Sequence, residues 1–169
     1  MNKIILSLGV CSTLLLFSNC TDKDSKVMLE IPDAKFKTYL LENFDKNADG
    51  NISLSEAKAV KEIDCSGLEI EVLDGIEKFA RLESLDCSNN QLDELEIRYN
   101  KKLNKLVCTG NKEPLFIYIG MSSPLRNPNI QKPEANQPPQ TANMAVLPID
   151  VSKVTYDKEK TNIMIYFDE

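Results

Sequence analysis

Histidine is missing from all 169 residues, and so is tryptophan. The first absence removes Ser-His-Asp and Cys-His catalysis, His-ligated zinc and haem, and the imidazole switch near neutral pH. The second removes any carbohydrate site built on stacked indoles. No block of Lys and Arg occurs, and 26 acidic residues outweigh 20 basic ones to give a formal charge of −6. Nucleic acid, whose phosphates attract clustered cations, is thereby excluded as a partner. Of the residues, 42% are hydrophobic and 27% charged, which fits a soluble globular chain better than a disordered one. The length predicts about one domain.

The longest apolar run, Ile4 to Phe17, follows a single Lys3 and is too short to cross ~30 Å of hydrocarbon as a helix. It has the length of a signal-peptide core. The run ends in Phe17-Ser18-Asn19-Cys20, which resembles a lipobox, although Asn19 stands where Gly, Ala or Ser is usual. In a lipobox the peptidase cuts before a cysteine whose thiol carries diacylglycerol. The alternative is an ordinary secretory signal with an incidental cysteine; the position of Cys20, where cleavage should fall, favours lipidation. The following Thr21-Asp22-Lys23-Asp24-Ser25 is similar to the acidic stretch that sends some lipoproteins to the outer face of the outer membrane. These features predict a signal peptide over 1–19, a lipidated tether over 20–27 and an outer-membrane, surface-exposed location.

Residues 45–56 read D-K-N-A-D-G-N-I-S-L-S-E. A calcium ion takes about seven oxygens at ~2.3–2.5 Å, and a twelve-residue loop supplies them from positions 1, 3, 5, 7, 9 and 12. Those positions hold Asp45, Asn47, Asp49, Asn51, Ser53 and Glu56. Asn51 offers its backbone carbonyl, Ser53 its hydroxyl or a bridging water, and Glu56 both carboxylate oxygens. Gly50 occupies position 6, where a positive φ is cheapest without a Cβ, and Ile52 at position 8 is the apolar anchor. The loop resembles an EF-hand. Its flanks predict helices over 33–44, with Phe36, Leu40 and Phe44 on one face, and over 54–62. The competing reading is an Asn/Asp/Gly-rich turn that binds nothing. No second loop follows, so Ile52 needs another pairing partner, and a dockerin, which uses two such loops, is disfavoured.

Downstream, Ile63-Asp64-Cys65, Leu85-Asp86-Cys87 and Leu106-Val107-Cys108 repeat with cysteines 22 and 21 residues apart. With Leu82, Asn90 and Leu92, then Leu103 and Asn111, this resembles the leucine-rich-repeat pattern L-x-x-L-x-C-x-x-N-x-L. Inward Leu and Cys on short parallel strands, with a buried Asn satisfying turn backbone, is the fold implied. Three in-line thiols do not make a closed zinc set. An exported setting permits disulfides, but the shared register with aliphatic positions reads as small buried apolar residues. The outward positions are Glu62, Asp64 and Ser66; Ser84, Asp86 and Ser88; Lys105, Val107 and Thr109. They form an acidic-to-polar face for a partner, or else a merely solvated sheet.

Leu115–Ile119 reads as a closing strand. Residues 121–148 hold six of the eight prolines and read as a linker. Residues 149–169, with alternation around Val151–Tyr156 and Ile163–Phe167, predict a β-hairpin that packs on the repeats, pairs with a partner or stays mobile.

The arrangement as a whole is similar to a family of bacterial surface lipoproteins in which an EF-hand-like unit caps internalin-like repeats. The resemblance covers residues 1–120. It implies a helical cap over 28–62 on a leucine-rich-repeat solenoid of about three coils over 63–120, which with the Pro-rich segment and the hairpin read from the residues makes an α+β fold. It also implies binding or adhesion to an unknown protein, such as a host or matrix protein; the residues themselves add Ca2+ bracing the cap, and no catalysis. A carboxylate cluster committed to calcium leaves no convergent acid–base pair for an enzyme. The alternatives are a calcium-regulated binder and a dockerin-like assembly module. With ~1 mM free calcium and a Kd of ~10–100 μM, the ion adds about 1.4–2.7 kcal/mol of stability.

Overall fold

The computed structural model describes residues 23–120, 122–126, 152–157 and 161–166. The signal segment 1–19, Cys20, and most of the Pro-rich stretch and the centre of the expected hairpin lie outside them.

The chain winds through short parallel strands laid in two sheets. The strands β1 (Glu62–Asp64), β2 (Ser84–Asp86), β4 (Lys105–Val107) and β6 (Val154–Thr155) form one sheet in that order. The strands β3 (Glu94–Glu96), β5 (Leu115–Gly120) and β7 (Thr161–Tyr166) form the other. Every neighbouring pair is parallel, with Ile63, Leu85 and Leu106 in register across the first sheet and Leu95, Ile117 and Ile163 across the second. Only two α-helices occur among the described residues, α1 (Ala34–Phe44) and α2 (Leu54–Ala59).

This corrects the expected α+β fold of a helical cap on a leucine-rich-repeat solenoid of about three coils. Seven parallel strands stand against two α-helices among the described residues, and a second sheet has no counterpart in the sequence reading. Of its three strands only β3 went unread, because Glu94-Leu95-Glu96 carries one inward residue, too few for a period to register. The strand at Leu115 closes nothing: β5 lies between β3 and β7. The expected C-terminal hairpin is also overturned. β6 and β7 belong to different sheets and each runs parallel to its neighbour, so alternation located the strands but not their partners. Residues 23–26, within the expected lipidated tether, form a 3-10 turn whose Asp24 pairs with Lys58 at 2.6 Å.

One core joins the helices and strands. Phe36 and Leu40 of α1, Ile52, Ala57 and Val60 are buried with Ile63, Leu85, Leu106, Leu95 and Ile117. Phe44 is half-buried, its ring set edge-on to Tyr39 at 6.0 Å. The α1 face repeats every fourth residue, and Asp33 caps the helix by accepting the N–H groups of Lys35 and Phe36. The second oxygen of Asp33 accepts the N–H groups of Glu71 and Val72, which ties α1 to the chain that follows β1.

The passages after β1, β2 and β4 turn through a left-handed residue, Gly67, Asn89 and Gly110 with φ of 68°, 54° and 70°. Asn tolerates that region better than most side chains. At Gly110 a Cβ would sit 2.5 Å from Asn89 Oδ1, so the stacking distance there requires glycine.

Candidate functional site

Two groups of side chains carry chemistry: the loop 45–56 and the outer face of the first sheet. In the loop, Gly50 has φ 78° with nothing near its missing Cβ, so its identity answers backbone conformation alone. Asp45 accepts the N–H of Gly50 at 2.9 Å and of Asp49 at 3.3 Å, and Asn47 Oδ1 accepts the same Asp49 N–H at 3.1 Å. Asp49 accepts the N–H of Asn51 at 2.9 Å and the Asn47 side-chain amide at 2.8 Å.

Glu56 is nearly buried. Its Oε1 accepts the Lys46 N–H at 2.9 Å, and its Oε2 accepts the Ser53 N–H at 2.8 Å and the Ser53 hydroxyl at 2.7 Å. Ser53 is thus the N-cap of α2 in a reciprocal capping box with Glu56. Burial pushes the Glu56 carboxyl up, but the Ser53 hydroxyl and the amides of Ser53 and Lys46 outweigh it and hold the pKa below the ordinary value.

The donors of this loop are all oxygen, the type a hard divalent cation takes. In this conformation the carboxylates are engaged with the loop's own amides. Among the described residues no three Asp, Glu or Cys side chains stand together as a metal-holding group. The residue types at Asp45, Asn47, Asp49, Asn51, Ser53 and Glu56 fit the ion.

The sequence left Ile52 without a pairing partner, and the structure supplies one. Leu29 N–H donates to the Ile52 carbonyl at 2.7 Å, and Leu54 N–H to the Val27 carbonyl at 2.7 Å, flanking an antiparallel bridge between Met28 and Ser53. The segment Val27–Leu29 thus supplies the pairing partner of the loop residue Ile52. Sequence reasoning missed it. The signal was a short β-prone run just before Pro32.

The outer face of the first sheet brings six expected residues together in two rows. Glu62, Ser84 and Lys105 are in register, as are Asp64, Asp86 and Val107. Asp64 accepts the Ser66 N–H at 3.2 Å and hydroxyl at 2.8 Å, and Asp86 accepts the Ser88 N–H at 3.0 Å and hydroxyl at 2.6 Å. Each serine orients the carboxylate two residues before it, so successive strands present the same polar unit.

Behind this face, Cys65, Cys87 and Cys108 form a buried column of free thiols. Each Sγ donates to a carbonyl of the next strand or its flank (Asp86, Val107 and Thr155) at 3.5 Å. Burial pushes Cys65 and Cys108 up to about 12 and Cys87 well above its ordinary value. Such thiols are poor nucleophiles and poor metal ligands.

No family model matches the chain. No curated protein matches it. Two solved structures are similar: one of the CBM51-2 and INT domains from Clostridium perfringens ZmpB, and one with CBM51-2 in complex with GlcNAc. Each is 30% identical over 57% of this chain, with a TM-score of 0.43. The match spans 20% of the neighbour chain. At that TM-score nothing about fold or ligand carries over.

Proposed function

We propose that this chain is a lipid-anchored surface protein that binds a protein partner through the outer face of its four-stranded sheet. In this reading Ca2+ has a structural role at the loop 45–56. The single observation that supports the binding surface is the pair of registered rows Glu62-Ser84-Lys105 and Asp64-Asp86-Val107. Flat polar sheet faces with oriented carboxylates give complementarity and register more than raw affinity.

When bound, the ion would be held by Asp45, Asn47, Asp49, Asn51, Ser53 and Glu56, and would offset the repulsion of three carboxylates. The chain's own part is mechanical. Ile52 is buried in the shared core and joined to Leu29, so anything that orders the loop also fixes the start of the folded unit. Cys20 would carry the acyl chains that hold the protein at the outer membrane.

Beads carrying the purified chain test the reading on protein-coated surfaces under flow, with glycan-coated surfaces as the control. Retention on a protein coat, lost in Asp64→Lys/Asp86→Lys at unchanged Tm, is the expected result. Retention unaffected by that pair would remove the sheet face from the function. Thermal unfolding in millimolar calcium and in excess chelator tests the ion separately: a Tm higher by several degrees with calcium is expected, and coincident curves would remove calcium.

A further inference from the structure

The second sheet ends on an open strand. In the β3–β5 ladder the Phe116 N–H donates to Asp93 O at 2.8 Å and the Ile97 N–H to Tyr118 O at 3.0 Å. Residues 93, 95 and 97 therefore turn their peptide groups toward β5, and the alternation of a parallel ladder turns those of Glu94 and Glu96 the other way. No strand lies on that side among the described residues. The preceding turn of chain, which would be the next strand, swings off instead. It passes through Gly75 at φ 99° into a single 3-10 turn over Ile76–Lys78. The gap is a groove of about 1180 Å³ between β3 and residues 72–78.

Charge and surface select what fits. Glu77 is paired with Lys78 at 3.2 Å and Glu96 with Arg98 at 2.7 Å. Glu30, Asp74, Asp93 and Glu94 also line the groove, and among the described residues no ion pair is formed by them. Val72 and Tyr99, 37% and 56% exposed, add apolar wall. An open strand edge inside a groove is the geometry of strand addition, in which main-chain bonds give affinity and alternate side chains give specificity.

We propose that this groove binds an extended basic peptide segment as an added strand on β3, with its Lys or Arg side chains on the four unpaired carboxylates. The site is on a different face from the rows of the first sheet, so either can fail alone.

The probe is a short fluorescent peptide alternating Lys and Val, titrated into the purified full chain and followed by anisotropy. Saturable binding is expected, weakened about tenfold in a copy N-methylated throughout, which keeps every charge but donates no backbone hydrogen bond. Glu94→Lys and, separately, Asp74→Lys should each weaken the unmodified peptide about fivefold or more. Glu62→Lys on the first sheet should change it less than twofold. Equal binding of the methylated peptide would reduce the effect to bulk charge and overturn the proposal. So would absence of binding, or equal loss in Glu62→Lys. Zero-length cross-linking of Lys132 to Glu94 in the free chain would mean that the protein's own segment fills the groove, and would overturn it as well. The methylation comparison uses the unaltered protein, so it decides the matter even where a variant fails to fold.

Discussion

Replacing Asn90 by alanine should be among the most damaging single changes in this chain. Asn90 is 7% exposed. Its Oδ1 accepts the N–H of Leu68 at 3.1 Å and of Ile70 at 3.0 Å. Its Nδ2 donates to the carbonyls of Cys65 at 2.8 Å, Cys87 at 3.1 Å and Ser88 at 3.3 Å. Two of these partners have alternatives, since Asn111 also donates to Cys87 O and Gly67 N–H to Ser88 O. Leu68 is exposed enough for water to replace its bond. That leaves the Ile70 N–H and the Cys65 carbonyl stranded in a core that water does not reach. At roughly 1–3 kcal/mol for each orphaned group, Asn90→Ala should cost about 2–6 kcal/mol. The same change at Asn111, which makes three such bonds in a partly exposed setting, should cost about half as much. Urea unfolding followed by far-UV circular dichroism measures both, provided the m-value is unchanged. A cost below about 1 kcal/mol at Asn90, or the reverse ranking, would refute the assignment of these side chains as the backbone's substitute for solvent.

Asp33 supplies a pH dependence. Burial raises its carboxyl, but four N–H groups, from Phe36, Glu71, Val72 and Lys35, hold it below its ordinary 3.8. A depressed folded-state value means the stabilisation is complete above the unfolded pKa and is lost as pH falls through the folded one. Asp33→Asn should therefore flatten the acid limb of stability measured by urea titration below about pH 4, and an unchanged limb would count against it. The buried thiols should resist a water-soluble disulfide reagent in the native protein and react only on the unfolding timescale, with no faster phase from Cys87. Gly75→Ala places a Cβ 2.3 Å from Ile31 Cδ1 at φ 99°. It should lower stability by about 1–3 kcal/mol by thermal melt, and a neutral result would mean that residues 73–78 shift freely.

The strands of the first sheet were legible because their signal recurs. A Leu or Ile two residues before each Cys, and an Asn three after the second and third, survive at a spacing of 21–22. In the second sheet β5 was legible because Leu115, Ile117 and Ile119 alternate inward, whereas in β3 only Leu95 points inward and leaves no local pattern. Helix α1 was readable from its fourfold face and Asp33, whereas α2 stops at Ala59 because Glu62 is already strand. The loop 45–56 was readable in residue type and position. The engagement of its carboxylates with amides was not, since one pattern of oxygens serves a cation or a set of N–H groups. The groove was invisible because an edge is defined by the strand that fails to arrive.

The bridge between Met28 and Ser53 has a mechanical meaning. If the proposed anchor at Cys20 holds the membrane side while a partner pulls on a sheet, tension passes along the chain through residue 23. It meets the Asp24–Lys58 pair first, then the two 2.7 Å bonds that join Val27–Leu29 to Ile52 and Leu54. Those bonds are the first rungs under load, and they grip the loop at the position next to its Ser53–Glu56 box. Traction that peels them away unseats Ile52, and any ion ordering the loop resists that traction in return. Adhesive strength and calcium occupancy would then be coupled through three residues that belong to neither the loop nor the binding face.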